Sequence, residues 1–98
     1  MRILTLAGVM DISRYPAFRE TFENVHPGEP VVLDLAQVES VDSTFLMELM
    51  LLVRRIKDTP LAVVIANDQV IRILAITDLT NRIAIYPTLA EARAALGG

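Results

Sequence analysis

Residues 38–49 read VESVDSTFLMEL and join two apolar segments of different periodicity. The residues before this stretch, Val31 to Leu35, form a short, mostly apolar run that is typical of a buried strand. The residues after Ser43 have the spacing of a long helix. Asp42, Ser43 and Thr44 lie at the joint, and two interpretations stay open. Either Asp42 or Ser43 caps the helix, or Ser43 is an exposed serine that receives a modification.

Outward from this joint, short apolar runs alternate with helical patterns along the chain. Strands are predicted over residues 2–7, 31–35, 61–66 and 83–86. Helices are predicted over residues 13–24, over 43–57, from 67 or 68 to about 76, and from a capping box at 88–91 to 97. This alternation predicts an α/β fold with about four strands in a largely parallel sheet and four helices. Residues 1–98 are expected to form a single domain, because no linker or repeat divides them.

The composition limits the classes of function. The chain is 53% hydrophobic and carries a formal net charge of -3. Direct nucleic-acid binding is not expected, because it needs a basic surface. The near-apolar runs are far shorter than the roughly 18 residues of a membrane span. The chain has no cysteine, so there is no disulfide framework or thiolate metal site. We expect a soluble, cytoplasmic protein with no cofactor and no bound metal.

The physics of a helix start also suits a phosphate on Ser43. The first turn of a helix leaves backbone N–H groups free and carries a partial positive charge. A phosphate adds roughly -1.5 to -2 charges, and Asp42 would repel it at close range. Asp11 would do the same if its loop lies at the same edge of the sheet, where the carboxyl ends of parallel strands gather.

The helix that follows the joint is more apolar than a core requires. The residues with regular helical spacing, predicted to face the core, are Leu46, Leu49, Met50, Val53 and Ile56. The apolar residues predicted to lie beside or outside that stripe are Phe45, Met47, Leu51 and Leu52. Such a helix is either sandwiched between other elements or contacts a partner, and the sequence leaves both alternatives open.

Side chains suited to catalysis are few. The single histidine, His26, lies in a turn rich in proline and glycine. Asp11 and Asp42 could together bind Mg²⁺, but no nucleophile, base and oxyanion donor accompany them. We therefore expect no enzymatic activity and no catalytic residues. An enzyme or small-ligand domain that uses the acidic edge remains a third alternative.

Several segments, taken in order, resemble the STAS domain family, which includes the anti-sigma factor antagonists. They are GVMD at residues 8–11, VLDL at 32–35, VDST at 41–44, VIRIL at 70–74 with TDL at 77–79, and IYPTLAEA at 85–92. The resemblance covers nearly the whole chain and implies the strand–helix fold described above.

The resemblance to anti-sigma factor antagonists also implies a function. It makes Ser43 the phosphorylation site, with Thr44 as a secondary site and Asp42 and Asp11 as its neighbours. The unphosphorylated protein would bind an anti-sigma factor that is also a serine kinase, and phosphorylation would break that complex. The chain departs from many members at Phe45, where they have glycine. It also lacks an extra strand before residue 2 that members often have, which favours pairing of a bare sheet edge with another chain, for example in a homodimer.

Two functions follow from these expectations. The first is a regulatory protein-binding module that is switched at Ser43, with Phe45, Met47 and Leu51 supplying apolar contacts to the partner alongside Asp11 and Asp42. The second is a constitutive STAS subunit of a transport ATPase, or a stressosome-like scaffold. In the second case Ser43 is only a cap, and the apolar helix is a permanent interface.

Overall fold

The computed structural model describes residues 1–97, except for the side chains of residues 80 and 81, and within them four strands alternate with four α-helices. The strands are β1 (Arg2–Met10), β2 (Val31–Val41), β3 (Leu61–Val64) and β4 (Ala84–Tyr86). The helices are α1 (Tyr15–Glu23), α2 (Ser43–Arg55), α3 (Asp68–Ile76) and α4 (Leu89–Ala95). Short 3₁₀ turns at Ile12–Arg14 and Asp78–Asn81 precede α1 and β4. The predicted fold class is confirmed.

All strand pairs in the sheet are parallel, and the spatial order of the strands is β1-β2-β3-β4. Successive residues of a strand face opposite sides, and here each side has its own apolar cluster. Leu33 and Val63 pack with α1, α2 and α3 in the main core. Val32 and Val64 pack with Ala92 of α4 in a smaller cluster on the other side. Three helices therefore cover one face of the sheet, and the short α4 covers part of the other.

The first two strands are longer than the sequence predicts. Irregular pairing between them explains why the sequence pattern did not reveal their full length. The register between β1 and β2 shifts twice, between Thr5 and Ala7 and again between Gly8 and Val9. At the first shift the Asp34 carboxylate accepts a 3.0 Å hydrogen bond from the N–H of Ala36, a local bond that competes with regular pairing. Such bulges interrupt the alternation of buried and exposed residues. The strands nevertheless continue to Met10 and Val41, and both end at the same edge of the sheet.

The other elements differ from the prediction by a few residues at their ends. The first helix begins at Tyr15, because residues 12–14 form the 3₁₀ turn, and α2 ends at Arg55 instead of Lys57. The third strand ends at Val64 instead of Ala66, β4 begins at Ala84 instead of Ile83, and α4 ends at Ala95. Helix ends fray and frequently shift by one or two residues. These differences leave the order of the elements unchanged.

Candidate functional site

Asp42, and not Ser43, is the cap of α2. Its backbone is extended, with φ -118° and ψ -176°, which is the usual conformation of a cap residue. Its side-chain Oδ1 accepts a hydrogen bond of 3.1 Å from the N–H of Phe45. Its carbonyl oxygen accepts the first helical hydrogen bond, 3.1 Å from the N–H of Leu46. Ser43 is thus the first residue inside the helix, and the structure gives it no capping role.

Ser43 is exposed, and its hydroxyl makes no hydrogen bond within the described residues 1–97. Thr44, the next residue, is half-buried. The first-turn N–H groups of a helix have no acceptor within the helix, and Asp42 satisfies the one that belongs to Phe45. A phosphate on the Ser43 hydroxyl would lie near free N–H groups, which favour an anion, and next to the Asp42 carboxylate, which opposes it.

The structure brings Asp11 to the same edge of the sheet as Asp42. Met10 and Val41 are register partners at the ends of β1 and β2. The N–H of Asp42 donates a 3.2 Å hydrogen bond to the carbonyl of Met10. Asp11 and Asp42 therefore follow directly from two paired strand ends. The expectation that the first connection meets the start of the long helix agrees with this geometry.

Asp11 caps its own 3₁₀ turn through Ser13. One oxygen of its carboxylate accepts hydrogen bonds of 2.9 Å from the Ser13 N–H and 2.5 Å from the Ser13 hydroxyl. The hydroxyl bond is the main reason why the pKa of the Asp11 carboxyl lies below its usual value. Asp11 is therefore a carboxylate at neutral pH and adds negative charge to this edge. Ser13 was not among the predicted site residues, although an Asp followed two residues later by Ser is a known turn pattern.

The expectation that Phe45 contacts a partner is corrected by the structure. Its side chain is 0% exposed. The ring lies edge-on to Phe18 at 5.1 Å between centroids and 5.6 Å from Phe22, both on α1. The Phe45 ring thus fills the space between α1 and α2. It does not add to the outer surface.

The predicted core face of α2 was also rotated from its true position. The buried residues of this helix and its C-cap are Phe45, Leu49, Leu52, Val53 and Ile56. Leu46 and Met50, which were predicted to face the core, are half-buried at its margin. Met47 and Leu51 lie outside the core as predicted, with 62% and 50% of their surfaces exposed. These two side chains, one helical turn apart, form an apolar stripe on the solvent side of α2.

Two contacts that the sequence analysis missed hold α1 against α2. The Tyr15 hydroxyl donates a 2.9 Å hydrogen bond to the Glu48 carboxylate, which raises the pKa of Tyr15 above its usual value. Arg55 donates bonds of 2.7 Å to the carbonyls of Val25 and Phe22, just beyond and within the last turn of α1. No local pattern identifies such partners, because they are 30 to 33 residues apart in the chain.

The described part of the chain offers little for a metal or a membrane. No group of three or more histidine, cysteine, aspartate or glutamate side chains in residues 1–97 is arranged to hold a metal ion. Within those residues, no third histidine, cysteine, aspartate or glutamate therefore completes a metal site with Asp11 and Asp42. None of the helices found there is both long enough and apolar enough to span a bilayer.

A family model described as "Mlab, STAS domain" matches residues 2–89. The chain therefore belongs to the STAS domain family, and the resemblance seen in the sequence is confirmed. The match includes the joint between β2 and α2 and the Asp11 turn.

A similar solved structure is the crystal structure of an anti-sigma factor antagonist from Mycobacterium paratuberculosis. It is 26% identical in sequence and superposes with a TM-score of 0.84, covering 98% of this chain and 85% of that one. A search of the curated proteins found no match. The fold of the chain is thus that of an anti-sigma factor antagonist.

Proposed function

We propose that this chain is a regulatory protein-binding module, similar to anti-sigma factor antagonists, that is switched by phosphorylation of Ser43. The observation that carries the proposal is that Asp42 and Ser43 have different roles at the start of α2. Asp42 does the capping, so the exposed Ser43 hydroxyl is left available to a kinase. The resemblance to anti-sigma factor antagonists supports an anti-sigma factor with serine kinase activity as the partner. The module itself acts by binding and not by catalysis.

The contact surface in this proposal is the solvent side of α2 and the acidic edge beside it. Met47 and Leu51 supply apolar area, which gains free energy when it is removed from water. Asp11 and Asp42 supply two carboxylates at the amino end of the helix, next to Ser43. Exposed large apolar side chains beside a modifiable residue are typical of an interface at which a complex forms and dissociates.

Phosphorylation would oppose this complex for electrostatic reasons. It places roughly -1.5 to -2 charges beside Asp42 and Asp11. When the partner covers this edge, water no longer screens the added charge, and an unpaired buried charge costs several kcal/mol. Because about 1.4 kcal/mol changes a dissociation constant tenfold, one phosphate is sufficient to shift the affinity by orders of magnitude. The fold itself need not change.

The proposal is tested by affinity capture from lysate of the native cell, with the retained proteins identified by mass spectrometry. The wild type and Ser43→Ala should retain the same anti-sigma factor, while Ser43→Asp should lose it. Gln69→Asp is the matched control, since Gln69 is an exposed residue in the first turn of α3. It adds the same charge at another helix start and should retain the partner. Retention by Ser43→Asp equal to that of the wild type contradicts the switch.

A constitutive subunit of a transport ATPase, or of a scaffold, is the second candidate. The exposure of Met47 and Leu51 favours it, because a permanent interface also needs apolar area. For such a subunit, Met47→Glu should abolish retention of the partner, whereas Ser43→Asp should have no effect. The regulatory module loses its partner in both variants. The pair of variants therefore separates the two functions.

A further inference from the structure

The three basic residues near the carboxyl end of α2 have separate roles. Arg55 turns toward α1 and binds two backbone carbonyls. Arg54 and Lys57 remain exposed and line a cavity of about 310 Å³ together with Arg82, which lies just before β4. Val53 forms the apolar part of this lining. We call the cavity formed by Val53, Arg54, Lys57 and Arg82 the basic cleft.

The basic cleft carries an excess of positive charge on a chain whose net charge is -3. Arg82 forms an ion pair of 2.9 Å with Asp78, so part of its charge is balanced. Among the side chains that the structure describes, neither Arg54 nor Lys57 makes an ion pair or a hydrogen bond. Three cations and the one carboxylate of Asp78, which pairs with Arg82, therefore lie around this cavity, and the local charge is positive.

The helix dipole accounts for only part of this arrangement. It explains basic residues at the carboxyl end of α2, which are Arg54, Arg55 and Lys57, the residue after the C-cap Ile56. It does not explain Arg82, which comes from a segment that follows α3. Cations from separate parts of the chain that converge on one cavity indicate an anionic ligand.

Arg54 links the basic cleft to the apolar stripe on α2 by its position along the helix. Met47, Leu51 and Arg54 follow one another at spacings of four and three residues, which places them on one face of the helix. Near the cleft, a second cavity of about 250 Å³ is lined by Met50, Arg54, Asp78, Leu79 and Arg82. Met50 is only half-buried, so its accessible part places apolar surface beside the charged groups. A free inorganic anion gains no binding free energy from such apolar surface, whereas the apolar side chains of a peptide segment do.

We infer that the basic cleft receives the carboxylates of an acidic segment in the protein partner, whose neighbouring apolar side chains lie on Met47 and Leu51. The inference rests on the proposed function, because it describes the partner of the same helix. It also gives the partner a direction. The partner's acidic residues lie at the carboxyl end of α2, and Asp11 and Asp42 face its other end. This polarity favours one orientation of the bound segment over its reverse.

The test uses a fluorescent peptide of alternating glutamate and leucine, with a matched peptide in which glutamine replaces glutamate. Binding to the purified chain is measured by fluorescence anisotropy at two salt concentrations. The wild type should prefer the glutamate peptide, and the preference should weaken at high salt. The double variant Arg54→Glu with Lys57→Glu should bind that peptide about tenfold more weakly, since two exposed charge pairs are each worth only a few-fold.

The control is the double variant Arg72→Glu with Arg93→Glu, which makes the same change in net charge at exposed sites on α3 and α4. It should bind the glutamate peptide as the wild type does. Equal weakening in both double variants overturns the inference, because it assigns the binding to net charge alone. The absence of any preference for glutamate overturns it as well. Complete displacement of the peptide by millimolar inorganic phosphate would assign the cleft to a small anion instead.

The two proposals can fail separately. If Ser43→Asp keeps its partner in the capture experiment but the basic-cleft variant loses the glutamate peptide, the switch is wrong and the cleft remains. If Ser43→Asp loses the partner and the basic-cleft variant binds the peptide normally, the switch remains and the cleft is wrong. Thermal unfolding of both double variants should show that each is folded.

Discussion

Tyr15 on α1 donates a 2.9 Å hydrogen bond to Glu48 on α2, and this bond joins the two helices that lie behind the Ser43 site. The hydrogen bond to the Glu48 carboxylate favours the protonated hydroxyl, so the pKa of Tyr15 lies above its usual value of 10.0. In a Tyr86→Phe background Tyr15 is the only tyrosine, and its phenolate absorbance can be titrated alone. Glu48→Gln should lower the pKa of Tyr15 toward the usual value.

The same bond makes stability depend on alkaline pH. The folded-state pKa of Tyr15 is higher than that of the unfolded chain, so the bond stabilises the fold below the unfolded pKa. That contribution is lost as the pH rises through the folded-state pKa. Denaturant unfolding should therefore show a smaller alkaline loss of stability in Tyr15→Phe than in the wild type. A phenolate titration that Glu48→Gln leaves unchanged would argue against the hydrogen bond.

Asp42 and Ser43 should respond differently to alanine, because only Asp42 caps the helix. Asp42→Ala should lower the free energy of unfolding by about 1 kcal/mol, the usual cost of losing a cap. Ser43→Ala should change it by less than about 0.5 kcal/mol, as expected for an exposed side chain without a partner. Urea unfolding of both variants measures the difference. Equal losses of unfolding free energy in the two variants would mean that Ser43 also caps the helix.

Phe45 should be among the most sensitive positions in α2, since it is fully buried between Phe18 and Phe22. Phe45→Ala should lower the free energy of unfolding by about 3–5 kcal/mol, through lost burial and the cavity that remains. Met47→Ala, two residues further along the same helix, is the matched control and should cost about 0.5 kcal/mol or less. A small effect at Phe45 would mean that its ring is not packed in the core.

The sequence predicted the order of the elements and the place of the joint, because apolar periodicity and turn residues are local signals. It did not predict the rotation of α2. Between Phe45 and Val53 only Glu48 is polar, so the apolar pattern barely distinguishes one face from another. In the structure, the ring contacts of Phe45 with Phe18 and Phe22 fix the rotation of α2, so that Phe45 faces the core.

The full lengths of the first two strands could not be predicted from the sequence for a related reason. The register shifts between β1 and β2 break the period of two by which strands are recognised. Ser13 and Arg55 show a further limit. Ser13 lies in a recognisable turn pattern with Asp11, but the two carbonyls that Arg55 binds come from a distant helix end. A basic residue near the carboxyl end of a helix indicates, by its position alone, only an interaction with the helix dipole.

Arg55 should contribute more to stability than its neighbour Arg54, although both are exposed basic residues in the last turn of α2. Each interacts with the helix dipole, but only Arg55 donates to the carbonyls of Phe22 and Val25. Arg55→Ala should therefore lower the free energy of unfolding by about 1–2 kcal/mol more than Arg54→Ala, the value of hydrogen bonds from a charged donor. Arg55→Lys should recover only part of this loss, because a lysine ammonium lacks the planar pair of donors. Urea unfolding of the three variants under identical conditions measures the order, and equal losses in Arg54→Ala and Arg55→Ala would remove the role assigned to the carbonyl bonds.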